Sequence, residues 1–527
     1  MVHEIRTESI KAVKVPEDAT LNELPLLPRE RIWGFWDFSV VNIGLSIATW
    51  AFLQGATVSY YVGAKEAIAS VIIGYGIAVL LVSLSPVLSS AKYGVEQFVM
   101  LRAIFGHGGA RLVMITTSTI FAAAWSAILA IMLGHGLVNI INTLFGVEVS
   151  KTGAAVSVLG LIAIISSWII LSRGPVSVER VSQIVAPALV IILVVITVIV
   201  FTRVSWEELT AIPALDPEEN PHVSFMVAIE LGVAGGFAWW PNMGNLARLT
   251  RSSRAAFWPN WIGIFGASVF AALVGTFAAL VLEITEPTDW LVPLTGTVFG
   301  VIALFAIAFA NITAILSQGY GSMLALRSGG GRLFRHMAWP LMGVIILGPA
   351  AILVFFPEVV YENYGRFLSW SAILVAPLTG IGITDYFLLR RTRVPIRELY
   401  KPAATSAVGY WHGWNPVAFV ALAAGAIVYT LLLHPITYVP SPLFPYMTAS
   451  IPSCLVGALV YYVLTKAITQ PMGLGGYRIE TPVSTGVIRA QVAPATPAAE
   501  PATPATKPAT PPAAAPAAEP PSPQEPS

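Results

Sequence analysis

Charge is scarce in this chain. Only 11% of its 527 residues are Asp, Glu, Lys or Arg, where a soluble globular protein carries about 25%. A water-facing surface of ordinary extent cannot be built from that supply. Cysteine is scarcer still: the single Cys454 excludes an internal disulfide and a cysteine-built metal site. The phosphate loop GxxxxGK[ST], the zinc motif HExxH and the nucleophile elbow GxSxG are all missing. "GGGR" at 329–332 lacks the lysine a phosphate loop needs. ATP-driven pumping and ordinary hydrolysis therefore have no machinery here, and no catalytic residue, cofactor or metal is expected. Residues 1–32 are polar and mixed in charge, without the apolar run of a signal peptide. The net charge of +1 points to no electrostatic partner, nucleic acid included.

What is abundant is hydrophobicity: 56% of residues, with a mean hydropathy of +0.75. Stretches of about 20 apolar residues can cross a hydrocarbon core of roughly 30 Å. Twelve are present, near 36–62, 67–91, 112–145, 153–171, 181–202, 223–247, 256–282, 297–326, 337–356, 367–389, 415–434 and 445–465. They are called spans 1 to 12. Loop charge tests the count, because cytoplasmic loops collect Lys and Arg. With the N-terminus inside, all but four of the 29 basic residues fall on the cytoplasmic side; the exceptions are Lys65, Lys151, Arg203 and Arg366. A miscount would scramble that split. The expected class is an all-α polytopic membrane protein with both termini cytoplasmic in the cell membrane. Residues 1–35 form a cytoplasmic segment and 36–467 the twelve-helix domain. Residues 468–527 form a tail that ends "PATPAAEPATPATKPATPPAAAPAAEPPSPQEPS", a composition that cannot bury a core and is expected to be disordered.

One stretch does not look like a mere lipid span. "AIELGVAGGFAWWPNMGN", residues 228–245, holds an acid (Glu230), a glycine pair (Gly235, Gly236), two tryptophans and Pro241. Counting 1.5 Å per residue from the interfaces, its centre lies at the bilayer midplane. From the opposite direction span 1 brings "IGLSIATW", residues 43–50, to the same depth. Span 3 brings Trp125 and span 8 brings "AIAFANIT", 306–313. Small residues and aromatics meeting at one depth from opposite directions are what two inverted halves with broken helices present, and broken helices free backbone groups to bind substrate and ions. Glycine in such helices also serves close packing alone, and that reading stands beside the functional one at every single glycine. Trp33, Trp36, Trp258 and Trp261 lie near interfaces and read as belt residues.

"PLTGIGITDYFLLRRTRVPIRELYKP", 377–402, and "GYWHGWNPVA", 409–418, complete the pattern. With "GGFA" (235–238) followed by "LARLTRS", they make residues 30–467 resemble the first class of nucleobase–cation symporters, transporters of hydantoin, allantoin, cytosine, uracil and related rings. The resemblance implies a leucine-transporter-like fold, two inverted five-helix repeats plus two helices. It also implies a flat heterocycle stacked between aromatics of spans 3 and 6, at Trp125 and Phe237, the latter preceded by Gly236. The candidate substrate residues are Ser46, Trp50, Trp125, Gly236, Phe237, Trp239, Asn311 and Thr313. Three positions depart from the family. Leu129 stands where several members have a glutamine. "AIAFANIT" lacks the adjacent hydroxyls of sodium-coupled members. The substrate-facing asparagine aligns with Asn311 only after a shift, and with Ala314 without one.

The resulting expectation is a secondary active importer of a small nitrogen heterocycle working by alternating access. Its coupling ion is expected to be H⁺ rather than Na⁺, with Glu230 as the proton carrier and the Gly235-Gly236 pair as a hinge. A channel would need a repeated polar filter, and a membrane enzyme would need clustered ionisable groups at one depth. Neither is visible.

Overall fold

The computed structural model describes residues 24–477 apart from residue 174. The first 23 residues and most of the Pro/Ala-rich tail lie outside the described residues, as do the expectations placed on them. Among the described residues, nine helices are long and apolar enough to cross a membrane. They are span 2 (Ala64–Tyr93), span 3 (within Gln97–Phe145), span 4 (Ala154–Leu171), span 5 (Val185–Arg203), span 6 (Pro221–Ala247), span 7 (Ser253–Leu282), span 8 (Thr297–Gly329), span 10 (Tyr364–Leu389) and span 12 (Ser450–Thr469). Span 1 is a pair, Phe35–Ser46 and Thr49–Tyr61, bent by 55°. Spans 9 (Trp339–Leu353) and 11 (Pro416–Leu432) are shorter, at 15 and 17 residues. At 1.5 Å per residue they reach only about 22–26 Å, a mismatch that local thinning of the bilayer absorbs at small cost. The outer faces of the bundle are apolar: Ile72, Ile73 and Ile77 of span 2, Val158, Ile162, Ile165 and Ile169 of span 4, and Val190, Val194 and Val198 of span 5 are exposed. Helical rows of bare aliphatic side chains suit hydrocarbon as solvent, not water.

Loop contacts sort the span ends into two faces. On one, the segment before span 1 meets the end of span 2, where Arg31 Nη1 donates to the Ala91 carbonyl at 2.7 Å. Arg251, after span 6, donates to the Ile32 carbonyl. Arg102, before span 3, reaches Leu399 of the 10–11 loop at 2.9 Å. Arg390 reaches Gly475 beyond span 12 at 2.9 Å. These are the loops that hold the basic residues, and this is called the basic face. On the other, Tyr60 bonds Thr285, Lys151 pairs with Asp289, and Tyr361 donates to Glu286. Residues 470–477, counted with the tail in the sequence, fold back onto the basic face: Gly475 N donates to the Ala407 carbonyl and the Tyr477 hydroxyl to Asp385.

Close helix crossings show the two repeats. A Cβ on Gly55 of span 1 would lie 1.7 Å from the Ala272 carbonyl oxygen of span 7, and one on Gly275 would lie 2.2 Å from the Phe52 carbonyl oxygen. Thr276 donates to the Gly55 carbonyl at 2.7 Å across the same contact. Spans 2 and 6 cross as tightly, with Gly74 facing Ile229 and Gly232. Adding five to span 1 gives 6, and to span 2 gives 7. The crossings 1–7 and 6–2 are therefore equivalents in the two halves, and small residues let both backbones approach.

The two midplane interruptions are unequal. In span 1, Ile47 and Ala48 are extended, and the first helix ends on an Ile47 N–H to Ile43 carbonyl bond. Span 6 barely breaks. Its first helix runs straight through Gly235-Gly236 to Phe237, and Ala238 and Trp239 keep right-handed dihedrals before the helix resumes at Trp240. Pro241 has no N–H, so the Phe237 carbonyl loses its helical partner and the turn tightens. The glycine pair is thus not the hinge expected of it. Gly236 lies against Ala78 of span 2, and Gly235 against the Gln54 amide of span 1, where any Cβ would lie 2.1 Å from Nε2.

Candidate functional site

At the bend of span 1 and the tight turn of span 6 lies a small cavity, about 40 Å³, lined by Trp50, Trp125, Leu129, Gly235, Ala238, Trp239, Asn242, Ala314 and Gln318. Its walls are indoles. Trp50 stands edge-on to Trp239 at 5.4 Å and to Trp125 at 6.4 Å. Trp125 in turn packs on Phe367 and Tyr364 of span 10, at 5.4 and 5.9 Å. The helix bend makes this possible: Ala48 is the last extended residue, so Trp50 is aimed by the first turn of the second half-helix. At this size the cavity holds about three waters. A ring enters only if an indole or the Gln318 amide moves aside.

Two buried polar atoms at the cavity have no protein partner, Trp239 Nε1 and Asn242 Oδ1. Buried polar groups are usually satisfied, and this donor and this acceptor belong to two residues that line the same cavity. Gly321 of span 8 makes room for Asn242, since a Cβ there would come within 2.8 Å of Oδ1.

The structure brings Trp50, Trp125 and Trp239 together among the residues singled out from the sequence. It places the others elsewhere. Phe237 is fully buried away from the cavity, one residue before the turn that carries Ala238 and Trp239 into it. Gly236 faces span 2. Ser46, Asn311 and Thr313 lie where span 8 crosses the bend of span 1. The Ser46 hydroxyl donates to Asn42, Asn311 Nδ2 donates to Thr49 Oγ1 at 3.0 Å, and the Thr313 hydroxyl lies 3.3 Å from the Gly44 carbonyl. The first bond is internal to span 1 and the other two contacts join the broken helix to span 8, while Asn311 Oδ1 is left without a protein partner. Ala314, the unshifted alignment of the family's asparagine position, lines the cavity, as does Leu129. Asn242 and Gln318 escaped the sequence reading. Gln318 lies one helical turn beyond Ala314, and that i+4 spacing was the available signal.

Glu230 points away from the cavity. Its carboxylate accepts from the backbone N–H of Ala449 at 3.0 Å and of Ser450 at 3.1 Å, and from the Ser450 hydroxyl. It thereby occupies the N-terminus of span 12, where unpaired N–H groups and the helix dipole favour an acceptor. Toward the far face a second cavity, about 310 Å³, opens between Gln54, Thr57, Tyr60, Tyr361 and Tyr364. Gln54 separates the two cavities, donating to the Leu231 carbonyl at 2.6 Å and accepting from Tyr75. Among the described residues no group of His, Cys, Asp and Glu is arranged to hold a metal.

A bundle of apolar helices with two inverted halves, bent at an aromatic midplane cavity, is the architecture of a membrane transport protein. The chain belongs to the family of permeases for cytosine/purines, uracil, thiamine and allantoin, which it matches over residues 25–456. It is 28% identical over 231 residues to the hydantoin permease of Microbacterium maritypicum, covering 40% of this chain and 45% of that one. It is 22% identical over 300 residues to the allantoin permease of Bacillus subtilis (strain 168), covering 44% and 56%. The chain thus spans about half the length of these relatives. Its fold matches Mhp1, a nucleobase-cation-symport-1 family transporter, in a closed conformation with bromovinylhydantoin bound. The TM-score is 0.71 at 17% identity, over 90% of this chain and all of the other.

Proposed function

We propose that the chain is a secondary active transporter that imports a small, flat nitrogen heterocycle by alternating access. The cavity carries this reading. Three indoles line it, and two of its lining residues, Trp239 and Asn242, carry an unpaired indole N–H and an unpaired amide oxygen; Gln318 lines it as well. Aromatic walls suit a planar ring. A donor and an acceptor side by side suit the N–H and C=O edge of a cyclic ureide or lactam, a class that includes hydantoins, allantoin and oxidised pyrimidines. The heterocycle stacks among Trp50, Trp125 and Trp239 and pairs with Asn242 and Gln318. Residues 36–467 form the transport domain in a cell membrane. The loop charges support a cytoplasmic basic face with both termini on that side.

The coupling ion in this reading is H⁺. Of the polar groups of span 8 nearest the bend of span 1, the Thr313 hydroxyl donates to the Ala310 carbonyl and Asn311 Nδ2 to Thr49 Oγ1, which leaves Asn311 Oδ1 as the one oxygen of the pair without a protein partner. The acid of span 6 is set against the start of span 12, so its three hydrogen bonds form or break with any relative movement of those helices. Uptake of labelled hydantoin, allantoin and uracil into proteoliposomes, with a pH or a Na⁺ gradient imposed separately, tests both parts. Accumulation of one ring driven by the pH gradient, unchanged when choline replaces Na⁺, is expected. Accumulation that requires Na⁺ refutes the proton reading, and no accumulation of any ring refutes the transport reading. Glu230→Gln should abolish pH-driven accumulation yet keep counterflow exchange, which needs no net proton movement. Full accumulation by this variant removes Glu230 from the coupling.

A further inference from the structure

The central cavity, at about 40 Å³, has no room for a ring as it stands, whereas the second cavity beside it measures about 310 Å³. Small-molecule sites begin at roughly 300 Å³ and are mostly apolar, with a few placed polar groups. The second cavity has that composition. Leu53, Leu231 and Leu368 line it together with Tyr60, Tyr361 and Tyr364. Two of the tyrosine hydroxyls are committed at its rim: Tyr60 bonds Thr285 at 3.1 Å, and Tyr361 donates to Glu286. The third is not. Tyr364 is buried, packs edge-on to Trp125 of the central cavity at 5.9 Å, and carries a hydroxyl with no partner among the described residues. Gln54 is common to both cavities. It lines the second, and its amide lies against Gly235, which lines the central one. Its Nε2 donates to the Leu231 carbonyl at 2.6 Å and its Oε1 accepts from Tyr75. A primary amide has two N–H donors and an oxygen with two lone pairs, so one donor and one acceptor position of Gln54 are uncommitted among the described residues. Buried polar groups are usually satisfied. The adjacent N–H and C=O of a cyclic ureide or lactam are the complement of that pair.

We propose, on the heterocycle reading given above, that the second cavity is itself a binding site for the transported ring. It is filled before the ring reaches the central cavity, and Tyr364 and Gln54 are its polar partners. Size sets the order. A ring arriving from the far face finds room in the second cavity, while the central one admits it only after an indole or the Gln318 amide has moved. Gln54 separates the two, so a ring paired with it is held against the partition it has to pass. A ring without an N–H and C=O edge gains nothing from Gln54 and Tyr364. Selection of the substrate therefore begins ahead of the central cavity.

The test counts the rings bound by the purified full chain in neutral detergent, by equilibrium dialysis with labelled hydantoin, allantoin and uracil. At saturation the wild type should bind two copies of one ring per chain. Ala314→Phe, which puts a large side chain into the central cavity, should keep one. Ala238→Leu serves the same purpose if melting curves show that the first variant does not fold. Tyr364→Phe added to the filled variant should weaken the remaining site roughly fivefold, the worth of one hydrogen bond, and Gln54→Leu should weaken it to a similar degree. A filled variant that folds yet binds no ring, beside a wild type that binds one, overturns the proposal and leaves the central cavity as the site. A remaining ring that responds to neither Tyr364→Phe nor Gln54→Leu overturns it as well. Two rings bound without accumulation in proteoliposomes refute transport and keep the second site. No ring bound by the wild type refutes both.

Discussion

Trp239 and Phe237 are two residues apart and have opposite fates. Phe237 is the last residue of the first helix of span 6 and is wholly buried, whereas Trp239 sits on the tight turn and stands against Trp50. A motif match alone assigned the stacking role to Phe237, because one residue of drift in the turn is invisible in sequence. Truncation separates the two. Trp239→Ala or Trp125→Ala should weaken heterocycle binding by about 1 kcal/mol, roughly fivefold, the worth of an aromatic contact beyond its area. Phe237→Ala should instead lower stability by about 3–5 kcal/mol while the folded fraction keeps its affinity. Isothermal titration beside melting curves reads both quantities. Gln318→Leu, which keeps the volume and removes the amide, should cost binding without affecting melting. Unchanged affinity in that variant would take the amide out of the site.

At the scale of helices, most of the layout was legible and the local geometry was not. Among the described residues, the twelve apolar stretches correspond to nine helices of membrane-crossing length, one bent pair and two shorter apolar helices, because length is a property a bilayer reads directly. The break in span 1 was legible too, in its glycine, serine and threonine around Ile47. The break in span 6 was displaced. Gly235 and Gly236 look like a hinge in one dimension, but in three they are the surfaces on which Gln54 and Ala78 rest. Nothing local distinguishes a glycine kept for flexibility from one kept for contact; the neighbour decides. The crossing of spans 1 and 7 offers a direct test. Gly55→Ala puts a methyl 1.7 Å from the Ala272 carbonyl oxygen, which nothing flexible can relieve. The variant should lose at least about 2 kcal/mol, within the overpacking range, seen as a lower melting temperature in detergent. Gly266→Ala, in the same span 7 with open space at its Cβ position, should melt like wild type.

In the alternating-access cycle proposed above, the far face closes over the second cavity, and the molecule carries a titratable contact there. Glu286, after span 7, accepts from Tyr361 of the 9–10 loop and from the Thr288 hydroxyl at 3.0 Å. Asp289 beside it is held by Lys151 of the 3–4 loop and by Asn139 of span 3 at 2.8 Å. His135 of span 3 lies edge-on to the Tyr361 ring at 5.0 Å. Four otherwise distant parts of the chain therefore meet through two carboxylates. Burial raises the Glu286 carboxyl above its ordinary value, the neighbouring Asp289 charge adds to the rise, and the hydrogen bonds from Tyr361 and Thr288 oppose it. The sign follows by linkage. A carboxyl whose value is raised in the closed arrangement and ordinary when exposed holds its proton longer when closed. The stabilisation of closure is complete below the ordinary carboxylate value and is lost as pH rises through the raised one. Closure of the far face should accordingly be favoured in acid. With spin labels on cysteines placed at Tyr60 and Thr285, across the rim of the cavity and on a background where Cys454 is replaced by serine, the closed fraction read from the label-to-label distance should be larger at pH 5 than at pH 8, a ratio above one. Glu286→Gln, uncharged at both, should flatten that ratio and hold it at the acid value. A ratio of one in the parent protein would mean that closure does not sense this carboxyl, and a ratio unaltered by Glu286→Gln would place the sensing group elsewhere, with Asp289 next to be substituted.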